Sequence, residues 1–473
     1  MDLKQKNLSI IIFFALIVAI AFFFELKPKL PSTEKEITFW QYWSGSEKEP
    51  LEALVHKFNK VHAEEFGFKV KLLTISMPQK KIMMAMAGDV APDLVHLDGG
   101  MVVDFALRGA LTDLSTVILS EAKDPMHKGI ARTNPLDRHA ALAMTTNRFI
   151  PIYVEALKIQ GVQYALPLMP TCEAMHVNKT LLDKLGIETP RSLADIAKLH
   201  SRFKNPSATR LAKRGGDGVD SAVNESSPSE YNAVDGDFGN GYMPSWPPWV
   251  GRFLPIVFGG NWGKQLEDGS WQVTANSPEN IEAWTWVQEN FASKFKPGEL
   301  ASFTEGFSSY QSPDNPFYAG KVAVENSGVW EKNLAKIYNP EMEVTIAPFP
   351  GKVENATLIS VDALAIPKMA KNKKEAAEFM QWLLKQENVE NLALAQAKFS
   401  PLKDVTESFY LEHSNPYIKV FIDLANSPNA KFFPQLSFIK RYQRDIKEAY
   451  DKVLRMELNA KEALDQLQEK LYD

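Results

Sequence analysis

The strongest constraint on the fold of this chain is the regular alternation of strand and helix signals that begins near residue 35. EITFW reads as a strand, SEKEPLEALVHKFNKVHAE places Leu51, Leu54, Val55 and Phe58 at helical spacing, and FKVKLLTI alternates as a strand again. That is one β-α-β unit. QKKIMMAMAGD supplies a second helix, and the apolar run from Pro92 to Leu97 a third strand, ending at Asp98 and the Gly99-Gly100 turn. Such alternation predicts an open, mostly parallel sheet with helices on both faces, whose ligands bind outside the carboxyl ends of the strands. FWQYW closes the first strand and Asp98 the third, so both are expected at one crevice.

Length and charge narrow the function. At 473 residues the chain exceeds a single core and suits two lobes of roughly 150–200 residues each, hence a cleft. A net charge of −5 gives no reason to expect a nucleic-acid partner. One cysteine, Cys172, excludes an internal disulfide, and the eight histidines show no metal-ligand spacing. No metal or cofactor is implied.

The N-terminus has a different character. Residues 8–24, LSIIIFFALIVAIAFFF, are uncharged and nearly all apolar, and a polar, proline-bearing stretch comes after them. This is a targeting segment, at the short end for a membrane span and long for a cleavable signal core. Ala19-Ile20-Ala21 has small residues suited to signal peptidase, but Phe22, Phe23 and Phe24 continue the apolar run, which favours an uncleaved anchor. Residues 1–34 are therefore read as signal or anchor. The chain from residue 35 onward is expected outside the cytoplasm.

Further along, VQYALPLMPTCEAMHVNKTLLDKLGI contains two strand-like runs around a proline-containing crossover, then a helix. Residues 205–245 are rich in Gly, Ser, Asn and Asp and read as a flexible surface insertion. PENIEAWTWVQENFASKF, KKEAAEFMQWLLKQENVENLALAQ and DIKEAYDKVLRMELNAKEALDQLQEKL are amphipathic helices, and Trp284, Trp286 and Trp382 fall on their stripes as core residues.

ITFWQYW, AMAGDVAPDLVHLDGG, YALPLMP with VNKTLLDKLGI, FGGNWGKQLEDG, FYAGKVAVENSGVW and DALAIPKMAKNKKEAAEFMQWLL stand in an order that resembles the extracellular solute-binding proteins of bacterial sugar ABC transporters, the maltose-binding-protein-like group. The resemblance implies an α/β, two-lobed periplasmic-binding-protein-like fold of type II, with a hinge and an interlobe cleft. It implies lobes of 35–168 plus 343–387 and of 169–342 plus 388–473. Its function would be to close on a mono- or oligosaccharide and deliver it to permease subunits, as a monomer and not as an enzyme. Carried over by position, Trp40, Asp98, Thr171, Trp249 and Trp330 fall on ligand-contacting positions. Thr171 stands where an acidic contact is usual, and His176-Val177-Asn178-Lys179 replaces a more aromatic motif.

The residue types have a physical reason of their own. An aromatic ring buries the C–H face of a pyranose, while Asp, Asn and Thr bond its hydroxyl rim. WQYW, SWPPW, GGNW and SGVW put Trp beside Gly or Pro, where no helical stripe explains it, so Trp43, Trp246 and Trp262 join the candidates. Asp98 and Asp362 add carboxylates near strand ends, with turn formation as the alternative for Asp98. Cys172, followed by Glu173 and His176, lacks an oxyanion-hole element and is read as structural. A glycoside hydrolase would need two paired carboxylates across a scissile bond, and no local motif pairs Asp93, Asp98 or Asp362. A sensor module for a membrane signalling partner is the other alternative.

Overall fold

The computed structural model describes residues 35–88, 90–117, 142–204, 240–295, 300, 307 and 311–471. The apolar segment 8–24 lies outside them, as does 205–239 of the expected insertion. Among the described residues, no helix is long and apolar enough to cross a membrane.

The opening β-α-β unit forms as its periodicity predicts. Strand β1 (Lys35–Gln41) buries Ile37, Phe39 and Gln41 on one face, and Phe39 packs edge-on to Phe379 at 6.0 Å. Helix α1 (Lys48–Lys57) buries Leu51, Leu54 and Val55. β2 (Phe68–Thr74) and β3 (Leu94–Asp98) then flank β1 in parallel. Asp93, just before β3, accepts from the Thr38 amide at 2.9 Å and the Asn372 amide at 2.9 Å, tying the sheet to α6 (Lys373–Leu383).

Beyond β3 the sheet departs from the parallel expectation. β9 (Thr357–Ala365) pairs antiparallel with both β3 and β4 (Ala165–Cys172), and β10 (Ala430–Lys431) pairs parallel with β9, giving six strands. A second sheet holds β5 (Ala174–Asn178), β6 (Asn240–Tyr242), β7 (Val322–Ser327) and β8 (Val344–Ala347) in the order β8-β5-β7-β6. Two of its three pairings are antiparallel. The reason is topological: strands reached by crossing from one sheet to the other enter from the opposite end.

Glu173 alone separates β4 of the first sheet from β5 of the second. Its amide donates to Leu358 O at 3.2 Å, and its carbonyl accepts from Thr357 Oγ1 at 2.7 Å, which fixes this crossing against β9. The chain crosses again between β8 and β9, and a third time between β10 and α9 (Ile439–Leu454). α3 (Val250–Val257) packs on α4 (Pro278–Asn290), α4 on α10 (Ala460–Lys470), α5 (Glu331–Tyr338) follows β7, and α9 packs on α3, α4 and α10.

Several expectations change. The end of the supposed insertion, Asn240–Tyr242, is strand β6, and Tyr242 is fully buried, because β7 supplies backbone partners that composition does not reveal. β8 belongs to the second sheet although residues from 343 were expected in the first lobe. Conversely α7 (Gln386–Ala395) packs on α1, and α8 (Ile418–Ala425) on β4 and β9, although 388–431 were expected in the second lobe. Trp284 and Trp382 lie in the core as their stripes indicate, 0% and 1% exposed. Trp286 is half-buried against Phe258 and Phe291. Cys172 is buried, its thiol donating to Phe421 O at 3.3 Å, and burial raises its pKa far above that of a reactive thiol.

Candidate solute-binding cleft

A cavity of about 310 Å³ lies where two of the crossings meet, walled by the first sheet on one side and by α3, α9 and the residue before α5 on the other. The first-sheet side contributes Asp98, Gly99 and Gly100 at the end of β3, Thr171 at the end of β4, and Leu358 to Val361 of β9. The other side contributes Trp249 and Arg252 at the start of α3, Trp330 before α5, and Lys440 and Gln443 on α9. Glu173 and the Phe432-Phe433-Pro434 crossing form part of its lining.

Local structure explains how these side chains come to face the cavity. Asp98 is the N-cap of α2 (Gly99–Leu107), its Oδ1 accepting from the Met101 amide at 3.0 Å. The same Oδ1 lies 3.0 Å from Lys440 Nζ, so one ion pair links the β3–α2 junction to α9. Gly100 leaves room for it: a Cβ there would stand 3.1 Å from both Lys440 Nζ and Asp98 Oδ1. Trp330 folds back over Gly328, whose Cβ would come within 2.1 Å of the indole, so the glycine of SGVW is what lets the ring lie there. Trp249 and Trp330, both half-buried, meet edge to face at 6.3 Å and 72°.

The polar groups are unevenly satisfied. Thr171 Oγ1 is buried with no hydrogen-bond partner among the described residues. Glu173 accepts from Asn326 Nδ2 of β7. Burial pushes the Glu173 carboxyl up to about 8, outweighing the opposite pull of the Arg252 charge and the Asn326 hydrogen bond. Arg252 has its guanidinium 5.7 Å from the Phe433 ring centroid, and its carbonyl accepts from Trp262 Nε1 at 2.8 Å, which pins the residue from behind.

Of the nine residues singled out in the sequence, Asp98, Thr171, Trp249 and Trp330 line this one cavity. The other five do not. Trp246 and Trp262 are 5% and 0% exposed, and Trp262 sits among Trp284, Phe433 and Tyr442, so no ring face is left for a ligand. Trp43 is 4% exposed, with Nε1 donating to Asp362 Oδ2 at 3.2 Å and its ring against His96 at 4.3 Å. Asp362 also accepts from the Tyr42 hydroxyl and lies 3.2 Å from His96 Nε2, so it binds these aromatics to one another. Burial raises its pKa, but His96, Lys398 and Tyr42 together hold it below the usual carboxylate range. Trp40 is half-buried against the core between Leu73 and Val95.

Sequence reasoning missed Glu173, Arg252, Lys440, Gln443 and the Phe432-Phe433 pair. Arg252 left a trace: it is the lone charge in the apolar helix VGRFLPIV. The phenylalanines also stand outside any helical stripe, directly before Pro434.

Residues 44–390 match the family described as bacterial extracellular solute-binding protein. The chain belongs to this family. As an extracellular solute-binding protein it is assigned outside the cytoplasm, and its family binds solutes and is not an enzyme family. An uncharacterized ABC transporter extracellular-binding protein of Pyrococcus horikoshii is 18% identical over 392 residues, 82% of this chain and 77% of that one. Among solved structures, CpMnBP1 with mannobiose bound superposes with a TM-score of 0.70 at 20% identity, covering 93% of this chain and 100% of that one. The GacH receptor of Streptomyces glaucescens, solved unliganded and with acarbose, gives 0.65 at 19% identity, covering 93% and 97%. These likenesses establish the two-lobed fold of this solute-binding protein.

Proposed function

We propose that this solute-binding protein captures a carbohydrate between its lobes and hands it to the permease of an ABC transporter. The observation that carries the reading is the pairing of Trp249 and Trp330 in a cavity that also presents Asp98, Thr171 and Gln443. Aromatic faces with convergent hydroxyl-bonding groups are what a pyranose needs. The cavity, at about 310 Å³, stands at the small end of the roughly 300–1,000 Å³ usual for ligand sites, which favours a short saccharide. Relatives with mannobiose and acarbose bound, and the ABC assignment of the Pyrococcus horikoshii protein, support both halves of the reading.

The lobes are proposed to divide at Glu173, within 348–356 and within 432–438, where the chain passes from one sheet to the other. Residues 8–24 are proposed to tether a monomer to the membrane, on the strength of their apolar run. A glycan-array screen of the full chain, followed by thermal unfolding with each hit, tests the central reading. Saturating sugar should raise the melting temperature by mass action. A screen that returns no glycan, or hits that leave the melting temperature unchanged at saturation, contradicts it.

A further inference from the structure

We propose that the cavity takes a saccharide carrying a carboxylate, of the uronate class, and that Arg252 selects it. The inference rests on the carbohydrate reading above and adds the ligand's charge. Arg252 lines the cavity half-buried, and among the described residues its guanidinium donates no hydrogen bond and forms no ion pair. A guanidinium offers five N–H donors in a planar fork that matches a carboxylate edge. None of its nitrogens is sealed from solvent, so the fork stands open to an incoming acceptor. The ring of Phe433 and the bond from Trp262 Nε1 hold the residue in place, so the fork is positioned before any ligand arrives.

The remaining charges of the cavity do not compensate it. Asp98 and Lys440 neutralise one another at 3.0 Å. Glu173 is close enough to act on Arg252 by charge but is hydrogen-bonded to Asn326 and not to the guanidinium, and burial disfavours its ionised form. Of the charged side chains that line the cavity, the Arg252 fork is therefore the one that has neither a hydrogen bond nor an ion pair among the described residues. A uronate, with a single negative charge, balances it; a sugar phosphate, carrying about −1.5 to −2 near neutral pH, overshoots beside two carboxyl groups.

Calorimetric titration of the full chain with matched pairs, D-glucose against D-glucuronate, D-galactose against D-galacturonate, and their disaccharides, tests this, with hexose phosphates as a third arm. A uronate should bind roughly 10- to 100-fold tighter than its neutral partner, the range expected of hydrogen bonds to a charged group. In Arg252→Met that ratio should collapse towards one, and Arg252→Lys, which keeps the charge but loses the fork, should fall between. Should neither variant fold, the wild-type protein still decides: added salt should weaken uronate binding and leave neutral-sugar binding nearly unchanged. A neutral sugar that binds as tightly as its uronate overturns the inference and leaves the carbohydrate reading standing. Tighter binding of a hexose phosphate overturns the choice of carboxylate. Binding of none of these sugars overturns both.

Discussion

Asp98 Oδ1 accepts from the Met101 amide and from Lys440 Nζ at the same distance, 3.0 Å, so one carboxylate caps α2 and reaches across the cleft to α9. The two roles separate by substitution. Asp98→Asn keeps a cap acceptor and should lose only the ion pair, a change of at most about 1 kcal/mol for a half-exposed pair. Asp98→Ala should lose a further ~1 kcal/mol with the cap. Urea unfolding of the two variants checks the order; equal stabilities would show that the cap contributes nothing.

The tryptophans divide into two sets with opposite phenotypes. Trp249→Ala and Trp330→Ala should weaken saccharide binding by roughly 1–3 kcal/mol while unfolding close to the wild-type temperature. Trp262→Ala, from a fully buried position whose Nε1 bonds Arg252 O, should cost about 3–5 kcal/mol of stability. Paired calorimetry and thermal unfolding measure both. Reversed phenotypes would move the cleft elsewhere.

Glu325 of β7 and Glu331, the first residue of α5, are each 1% exposed and interact with one another. Burial raises both pKa values; the Glu331 charge raises that of Glu325 further, and hydrogen bonds, including one from Ser327 Oγ, pull the other way on Glu331. Because the folded pKa exceeds the unfolded one, near 4.5, the stability they contribute is fully present below that pH and is lost as pH rises through the folded values. The urea midpoint should therefore decline from about pH 4.5 upward on their account, and Glu325→Gln should flatten the decline. An unchanged slope in the variant would contradict it. Glu173 contributes in the same direction between about 4.5 and 8, and Glu173→Gln isolates its share.

Much of the fold was legible because period is a local property. The strand at 35–41, its helix and its parallel neighbours are set by where apolar residues recur, and so are the helices carrying Trp284 and Trp382. What was hidden depends on partners far away in sequence. Asn240–Tyr242 has the composition of a loop and becomes a strand because β7 lies beside it. Trp43 and Trp262 look like surface stackers in turn-like sequence, but Asp362 and the Arg252 carbonyl satisfy their Nε1 groups and allow them to be buried. Arg252, Glu173 and Lys440 reach the cavity only when α3, the crossing and α9 are assembled around it, and no motif announces that meeting.

Hydrogen exchange of the protein with and without the saccharide identified by screening tests the central claim most directly. Capture between the lobes predicts new protection at once around 98–101 on the first-sheet side and around 249–253 and 330–334 on the other, together with the crossings at 173 and 432–434. Protection confined to one side, or gathered around Tyr42, Trp43 and Asp362 with these segments unchanged, would contradict it.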